Sequence, residues 1–220
     1  MLKIYYLKRS DFREFPDDFF LQRVGEDTVQ AVMTYRNEQV RRTKLLGESF
    51  IRQMLFELWG LRKPDFRIWK GEHGKPFVKG RDSVWFNLSH SGDYLVAAFS
   101  DSEVGVDVQL TATARMGVAR RFFHPAEIRC LESVSETVRD QLFFQYWSVK
   151  ESFLKYLGCG LSFPLSDFEV RFEKGLPVIF QNNGQRWPVW LFACPVCPEY
   201  ACFVCSGVPE TPEIQQFISF

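Results

Sequence analysis

Two long apolar-striped segments, each set among short β-prone runs, leave this chain few folds to adopt. In the first, Val29, Val32 and Met33, then Leu45, Leu46, Phe50, Ile51, Met54, Leu55 and Leu58, recur at three- and four-residue spacing up to Trp59, and Gly60 supplies a stop. In the second, Ser135 to Leu157 puts Leu142, Phe143, Tyr146, Val149, Phe153 and Leu157 on one stripe. Pro125 suits the first turn of a helix ahead of it, and Gly158-Cys159-Gly160 ends it. Such stripes must be covered by a sheet or by other helices. Leu2 to Leu7 reads as an opening strand, and FRIW, VWFNLSH, DYLVAAFS and VGVDVQ follow the first helical block, punctuated by Ser91-Gly92 and residues 101–103. Those runs predict one small antiparallel sheet. After the second block, strands are expected around Phe168 to Phe172, Pro177 to Phe180, Val189 to Ala193 and Tyr200 to Cys205. Each half thus runs strand, helices, small sheet. The order predicts an α+β fold of two similar lobes, residues 1–104 and 105–220, joined near residues 101 to 112. A ligand site is expected where they meet.

A chain of 220 residues can fill one large core or two small ones, and its 23 Phe, 7 Tyr and 6 Trp supply large units of buried area. Lys and Arg total 27 and Asp and Glu total 27, so no global field holds a polyanion and nucleic acid is not the expected partner. No apolar run approaches the length of a membrane span, and MLKIYYLKRSDFREF breaks its apolar stretch at Lys8, Arg9 and Asp11. The expectation is a soluble, unexported, cytoplasmic protein with no membrane contact and reduced thiols. Four of the six cysteines form Cys194-x2-Cys197-x4-Cys202-x2-Cys205, a pairing that raises the question of zinc. The middle spacer is short for that role, and on the strand YACFVCS Cys202 and Cys205 point to opposite faces, so packing as small hydrophobes is expected.

Several catalytic signatures are absent: GxxxxGK[ST], GxSxG, HExxH, and GxGxxG after a strand. Polar residues in apolar settings carry more information. In Val104-Gly105-Val106-Asp107-Val108-Gln109 the valines face one side of a strand while Asp107 and Gln109 share the other. A buried carboxylate needs a partner, which leaves a structural ion pair or a cation site. Trp147, Glu151 and Lys155 stand four apart and align on one helix face, as a solvated pair would or as part of a hard-cation site for a phosphorylated ligand. Gly74-Lys75-Pro76 holds a cation in a stiff turn, and Ser89-His90-Ser91 places two hydroxyls and an imidazole at a strand end. Arg36, Arg41, Arg42 and Lys44 form a basic cluster on the first helical block, mainly a solvated face.

Taken in order, GKP, FNLSHSGDYLVAAFS, GVDVQ, RRFFHPAE and FFQYWSVKESFLKYLGCGLSFPL resemble the surfactin-type 4′-phosphopantetheinyl transferases, most strongly over residues 74–165. The resemblance implies a pseudo-twofold, two-lobed α+β fold, each lobe a small antiparallel sheet packed with helices, residues 1–104 forming the coenzyme A cradle and 105–220 carrying the metal- and carrier-binding residues. It implies transfer of the phosphopantetheine arm of coenzyme A to a serine of an apo acyl or peptidyl carrier protein, with release of adenosine 3′,5′-bisphosphate and with Mg²⁺ as the metal. By position it makes Asp107 and Glu151 metal ligands, with Gln109 secondary, and places Lys75, Pro76, Ser89 and His90 against coenzyme A. Lys155 would contact the diphosphate and Lys150 a further phosphate, Trp147 would pack, and Arg41 and Arg42 would touch the nucleotide. The carrier would dock near Met116, Val118 and Phe122, and a single chain would suffice as a monomer.

Chemically, a serine attacking a phosphate needs a cation on the diphosphate and a base for its proton, and Glu151 is the acid placed to be that base. Gln109 departs from the family, many of whose members carry an acid there. Two rival functions share these residues. A metal-dependent phosphohydrolase acting on a nucleotide would use water as acceptor, and a catalytically silent carrier-binding module would be expected to lack Asp107, Glu151 or Lys155.

Overall fold

In the computed structural model, which describes residues 1–63 and 65–220, the chain order is β1 (Leu2–Lys8), α1 (Asp17–Leu21), α2 (Glu26–Met33), α3 (Glu38–Trp59), β2 (Ile68–Lys70), β3 (Pro76–Val78), β4 (Trp85–Ser91) and β5 (Tyr94–Ser100). It continues with β6 (Val104–Leu110), α4 (Met116–Phe122), α5 (Pro125–Ser133), α6 (Glu136–Leu157), β7 (Phe168–Glu173), β8 (Leu176–Gln181), β9 (Trp190–Ala193), β10 (Tyr200–Ser206) and β11 (Glu213–Gln216). Both striped segments are helices of 22 residues, α3 and α6. Each stops at a glycine in the left-handed region, Gly60 at φ 66° and Gly158 at φ 70°, a conformation that other residues adopt only with strain. Among the described residues, no helix is long and apolar enough to cross a membrane.

The two lobes repeat one plan. In the first, β1 pairs antiparallel with β5 from Leu2–Ser100 to Lys8–Tyr94; in the second, β6 pairs antiparallel with β10 from Val104–Ser206 to Leu110–Tyr200. The strand orders are β11-β1-β5-β4 and β6-β10-β9. Alternation along each strand then builds three cores. Leu95, Ala97 and Phe99 of β5 face the helix α3, while Ala201, Phe203 and Cys205 of β10 face α6. The opposite faces meet between the lobes, where Leu2, Ile4, Val96 and Ala98 pack with Val104, Val106, Val108, Cys202 and Val204. Cys202 and Cys205 therefore enter different cores as buried apolar groups.

Three sequence expectations need correction. The segment VGVDVQ does not extend the first sheet, because β6 spends its ladder on β10; it meets β4 through side chains instead. Asn87 Oδ1, Ser89 Oγ and Ser91 Oγ accept from the backbone N–H groups of Val106, Val108 and Leu110 at 2.9, 3.3 and 3.0 Å. Three alternate side chains on one strand thus substitute for a strand ladder across the lobe boundary. The run FRIW also leaves that sheet and forms a separate hairpin of β2 with β3. Finally, the second lobe does not keep all of residues 105–220. The last strand, β11, returns to pair parallel with β1, and Phe217 and Phe220 join Phe12 in the first core. That crossing covers the edge of β1 and buries two aromatic rings.

Candidate active site

The seating of α6 on β6 decides where the chemistry can occur. Gly105 is the contact point: a Cβ there would lie 2.2 Å from both the Ser152 carbonyl oxygen and the Tyr156 nitrogen of α6. With hydrogen in that place the helix backbone rests directly on the strand. Ser148, fully buried, donates to the Asp107 carbonyl oxygen at 2.9 Å and fixes the register between the two elements. Trp147, Glu151 and Lys155 consequently face one cleft with Asp107 and Gln109, as their four-residue spacing predicts.

That cleft, of about 440 Å³, is lined by Leu88, Ser89, His90, Asp107, Gln109, Trp147, Glu151 and Lys155. Asp107 is 2% exposed, and both of its carboxylate oxygens accept hydrogen bonds. Oδ1 accepts from Lys155 Nζ at 2.6 Å and Ser89 Oγ at 2.8 Å, while Oδ2 accepts from Gln109 Nε2 at 2.9 Å. Lys155 also donates to Ser89 Oγ at 2.9 Å and to the Val106 carbonyl at 3.1 Å. Burial and the nearby Asp107 charge push the Glu151 carboxyl above its ordinary range, with Lys155 opposing. His90 is pushed the other way, by burial and by the charges of Arg9 and Lys155. A cation bound between Asp107 and Glu151 would relieve the part of the Glu151 shift that comes from their like charges.

A second cavity of about 540 Å³ adjoins it, sharing Leu88 and His90. Its walls mix apolar groups (Ile51, Ile68, Pro76, Phe86) with Arg9, Thr43 and Lys44. Sequence reasoning missed Arg9 and Thr43, and read Lys44 only as one of a basic cluster on a mainly solvated face. Thr43 Oγ1 receives Arg9 Nη1 at 3.1 Å across the lobe, a pairing that no local motif marks because it joins the end of β1 to α3.

Four expected ligand contacts are used elsewhere. Lys150 is fully buried, its ammonium paired with Glu127 at 2.9 Å, so it faces neither cavity. Arg42 is a structural clamp: it pairs with Asp17 at 2.9 Å and donates to the carbonyls of Phe12, Arg13 and Phe15, closing the loop after β1, with Arg41 on the other Asp17 oxygen. Lys75 donates to the Tyr156 carbonyl at 2.6 Å, where the negative end of α6 attracts a cation, and burial lowers its pKa to about 8. Of the Lys75-Pro76 turn, Pro76 lines the larger cavity. Met116, Val118 and Phe122 all lie on α4; Met116 and Val118 pack partly buried against the core of the second lobe, while the Phe122 ring is 40% exposed.

A cavity adjoining a cleft that holds two carboxylates and an ammonium suits an enzyme acting on a phosphate-bearing ligand. Known proteins narrow that class. Residues 103–205 match the model of the 4′-phosphopantetheinyl transferase superfamily and residues 16–102 that of the 4′-phosphopantetheinyl transferase N-terminal region. The 4′-phosphopantetheinyl transferase ffp of Bacillus subtilis is 33% identical over 100% of this chain and 98% of its own length. The 4′-phosphopantetheinyl transferase Sfp of Bacillus subtilis strain 168 is 31% identical over the same shares. The chain belongs to the 4′-phosphopantetheinyl transferase superfamily.

Proposed function

We propose that this enzyme moves the 4′-phosphopantetheine arm of coenzyme A onto a serine of an apo acyl or peptidyl carrier protein and releases adenosine 3′,5′-bisphosphate. The observation that carries the reading is the convergence of Asp107, Glu151, Lys155 and Ser89 where the two cavities adjoin. The nucleotide would fill the larger cavity along Pro76 and His90, with Arg9 and Lys44 as its cations, and the diphosphate would enter the smaller cleft beside Lys155. The carrier would dock at Met116, Val118 and Phe122. Both halves of the site come from one chain, which supports action as a monomer, and all six cysteines are free, which suits a reducing cytoplasm.

The donor set fits Mg²⁺. Among the described residues no group of three or more His, Cys, Asp or Glu side chains is placed to hold a metal. Asp107 and Glu151 nevertheless supply two hard carboxylates, and Gln109, whose amide nitrogen is spent on Asp107, keeps its carbonyl oxygen free. A magnesium ion commonly takes one or two carboxylates and completes its shell with water and substrate phosphate. Lys155 already places a cation against Asp107. When bound, the ion would neutralise charge on the diphosphate. The serine oxygen attacks the β-phosphate, the bond from that phosphorus to the bridging oxygen breaks, and Glu151 accepts the serine proton. Lys155, held by Ser89 and the Val106 carbonyl, steadies the departing phosphate.

The test is the intact mass of apo carrier protein after incubation with this protein, coenzyme A and Mg²⁺. A gain of the phosphopantetheine mass, abolished by EDTA, is expected. Cleavage of coenzyme A without carrier would point to the hydrolase, and coenzyme A bound with no reaction across several carrier types to the silent module.

A second expectation concerns Glu151. Its pKa is raised in the folded protein, so the folded state holds that proton more tightly than the unfolded one. Stability is therefore lost as pH rises past the ordinary carboxylate range and regained on acidification. At neutral pH in EDTA, Glu151→Gln should melt above wild type by differential scanning fluorimetry, yet transfer should fall by about a hundredfold or more. Wild-type activity should itself decline on acidification as the base becomes protonated. A variant both less stable and fully active would refute the assignment.

A further inference from the structure

Lys150 stands one residue before Glu151 on α6 but points into the protein, where it is completely buried. Its ammonium lies 2.9 Å from Glu127 Oε1 and donates to the carbonyls of Leu165 and Phe168 at 2.7 and 2.9 Å, so three acceptors surround it. Glu127, 1% exposed, is as fully occupied. Oε1 also accepts from Val170 N at 2.7 Å, and Oε2 accepts from His124 N at 3.0 Å, closing the capping box of α5. The start of α5, the middle of α6, the turn before β7 and β7 itself meet at this one pair.

Such a pair contributes little stability beyond what an apolar pair of equal volume would, because both charges must be desolvated. What it does supply is a single allowed arrangement, since a satisfied polar network cannot slide as apolar surfaces can. The corner so held carries α4. Phe123, next after that helix, is buried, stacks on Phe143 at 5.3 Å and lies 6.1 Å from Trp147. His124, whose N–H Glu127 holds, follows it. Exposed Phe122 immediately precedes this anchor.

We propose that Glu127 and Lys150 are positioning residues that set α4 at a fixed offset from Glu151, so that a serine delivered by a partner seated on α4 arrives at the base. The inference rests on α4 being the carrier-facing helix. Neither residue touches a ligand.

Two variants test it: Glu127→Asp, which keeps the charge and withdraws it by one methylene, and the double change Glu127→Gln with Lys150→Met, which removes both charges at nearly constant volume. Initial rates are measured with coenzyme A and apo carrier varied separately, alongside hydrogen exchange. The KM for carrier should rise about tenfold in each, with the KM for coenzyme A within about twofold. Exchange should quicken over residues 116–127 and stay unchanged over 104–110. If the double variant fails to fold, Glu127→Asp decides. Phe122→Ser checks the docking helix itself and should raise the same KM. A rise in Phe122→Ser with wild-type values in the pair variants would overturn the positioning role and leave the docking helix standing. No rise in any of them would overturn both. A lower fraction of active enzyme with both KM values unchanged would show that the pair merely holds the fold, and would equally overturn the proposal.

Discussion

Replacing Asp107 with alanine should lower kcat/KM for carrier modification by about a thousandfold, the scale of losing a preorganised electrostatic contact at a developing charge. The carboxylate has three partners in the cleft, and each is left differently by its removal. Lys155 keeps Ser89 and the Val106 carbonyl, so it remains in the cleft as a free cation. Gln109 loses the acceptor that orients its amide. Glu151 loses the like charge that raises its pKa, so its carboxyl moves back toward the ordinary range. None of these changes removes an apolar contact, so the fold should survive and the loss should appear in activity and in the Mg²⁺ concentration needed for half-maximal rate. Gln109→Ala makes the contrast. It removes one neutral oxygen and one orienting hydrogen bond, and should keep activity within about tenfold of wild type. Equal losses in the two variants would refute the ranking of the carboxylate above the amide.

Gly105→Ala should be the most damaging single methyl group that can be added near the site. The new Cβ would stand 2.2 Å from two backbone atoms of α6 and 2.8 Å from the carbonyl carbon of Lys155. Backbone cannot rotate aside as a side chain can, so the helix must lift by about an ångström, against a core packed to near-crystal density. Overpacking of this kind costs about 3 kcal/mol, or roughly 10 °C in melting temperature for a chain of this length. The same lift carries Lys155 and Glu151 away from Asp107, and misplacement on that scale costs about a hundredfold in rate. Activity should therefore fall well below wild type even at temperatures where the variant is folded by circular dichroism. An unchanged melting curve would mean that α6 does not rest on β6 through this residue.

The features that were legible in the sequence are local ones. Helical spacing announced α3 and α6, and the glycines after them announced their ends, because a stripe of apolar side chains and a left-handed cap are properties of a few consecutive residues. Asp107 stood out as an acid among valines, and Glu151 and Lys155 as a charged pair on an apolar stripe, so three residues that line one cleft could be named before its geometry was known. The second lobe's strands fell where β-prone runs predicted them. Lys150 shows the limit of this reasoning. It belongs to the same short motif as Glu151, yet a helix turns by about 100° per residue, and that rotation sends it into the core toward Glu127 instead of into the cleft.

Pairings between distant segments were decided elsewhere. Nothing near Arg42 shows that Asp17 and three loop carbonyls will consume it, and nothing near Arg9 or Lys44 shows that they will border a cavity. The return of β11 to β1 is likewise silent in the last residues, since a parallel partner is chosen by an open edge far away in the chain. By itself the sequence determined most of the elements, their order, the family, and the acids and ammonium that line the smaller cleft, because each rests on residue type and spacing within a few turns. Only the tertiary structure decided which cations border a cavity and which are spent on the fold, because a charged side chain is satisfied by whichever oxygen lies nearest in space, and that distance exists only once the lobes have closed.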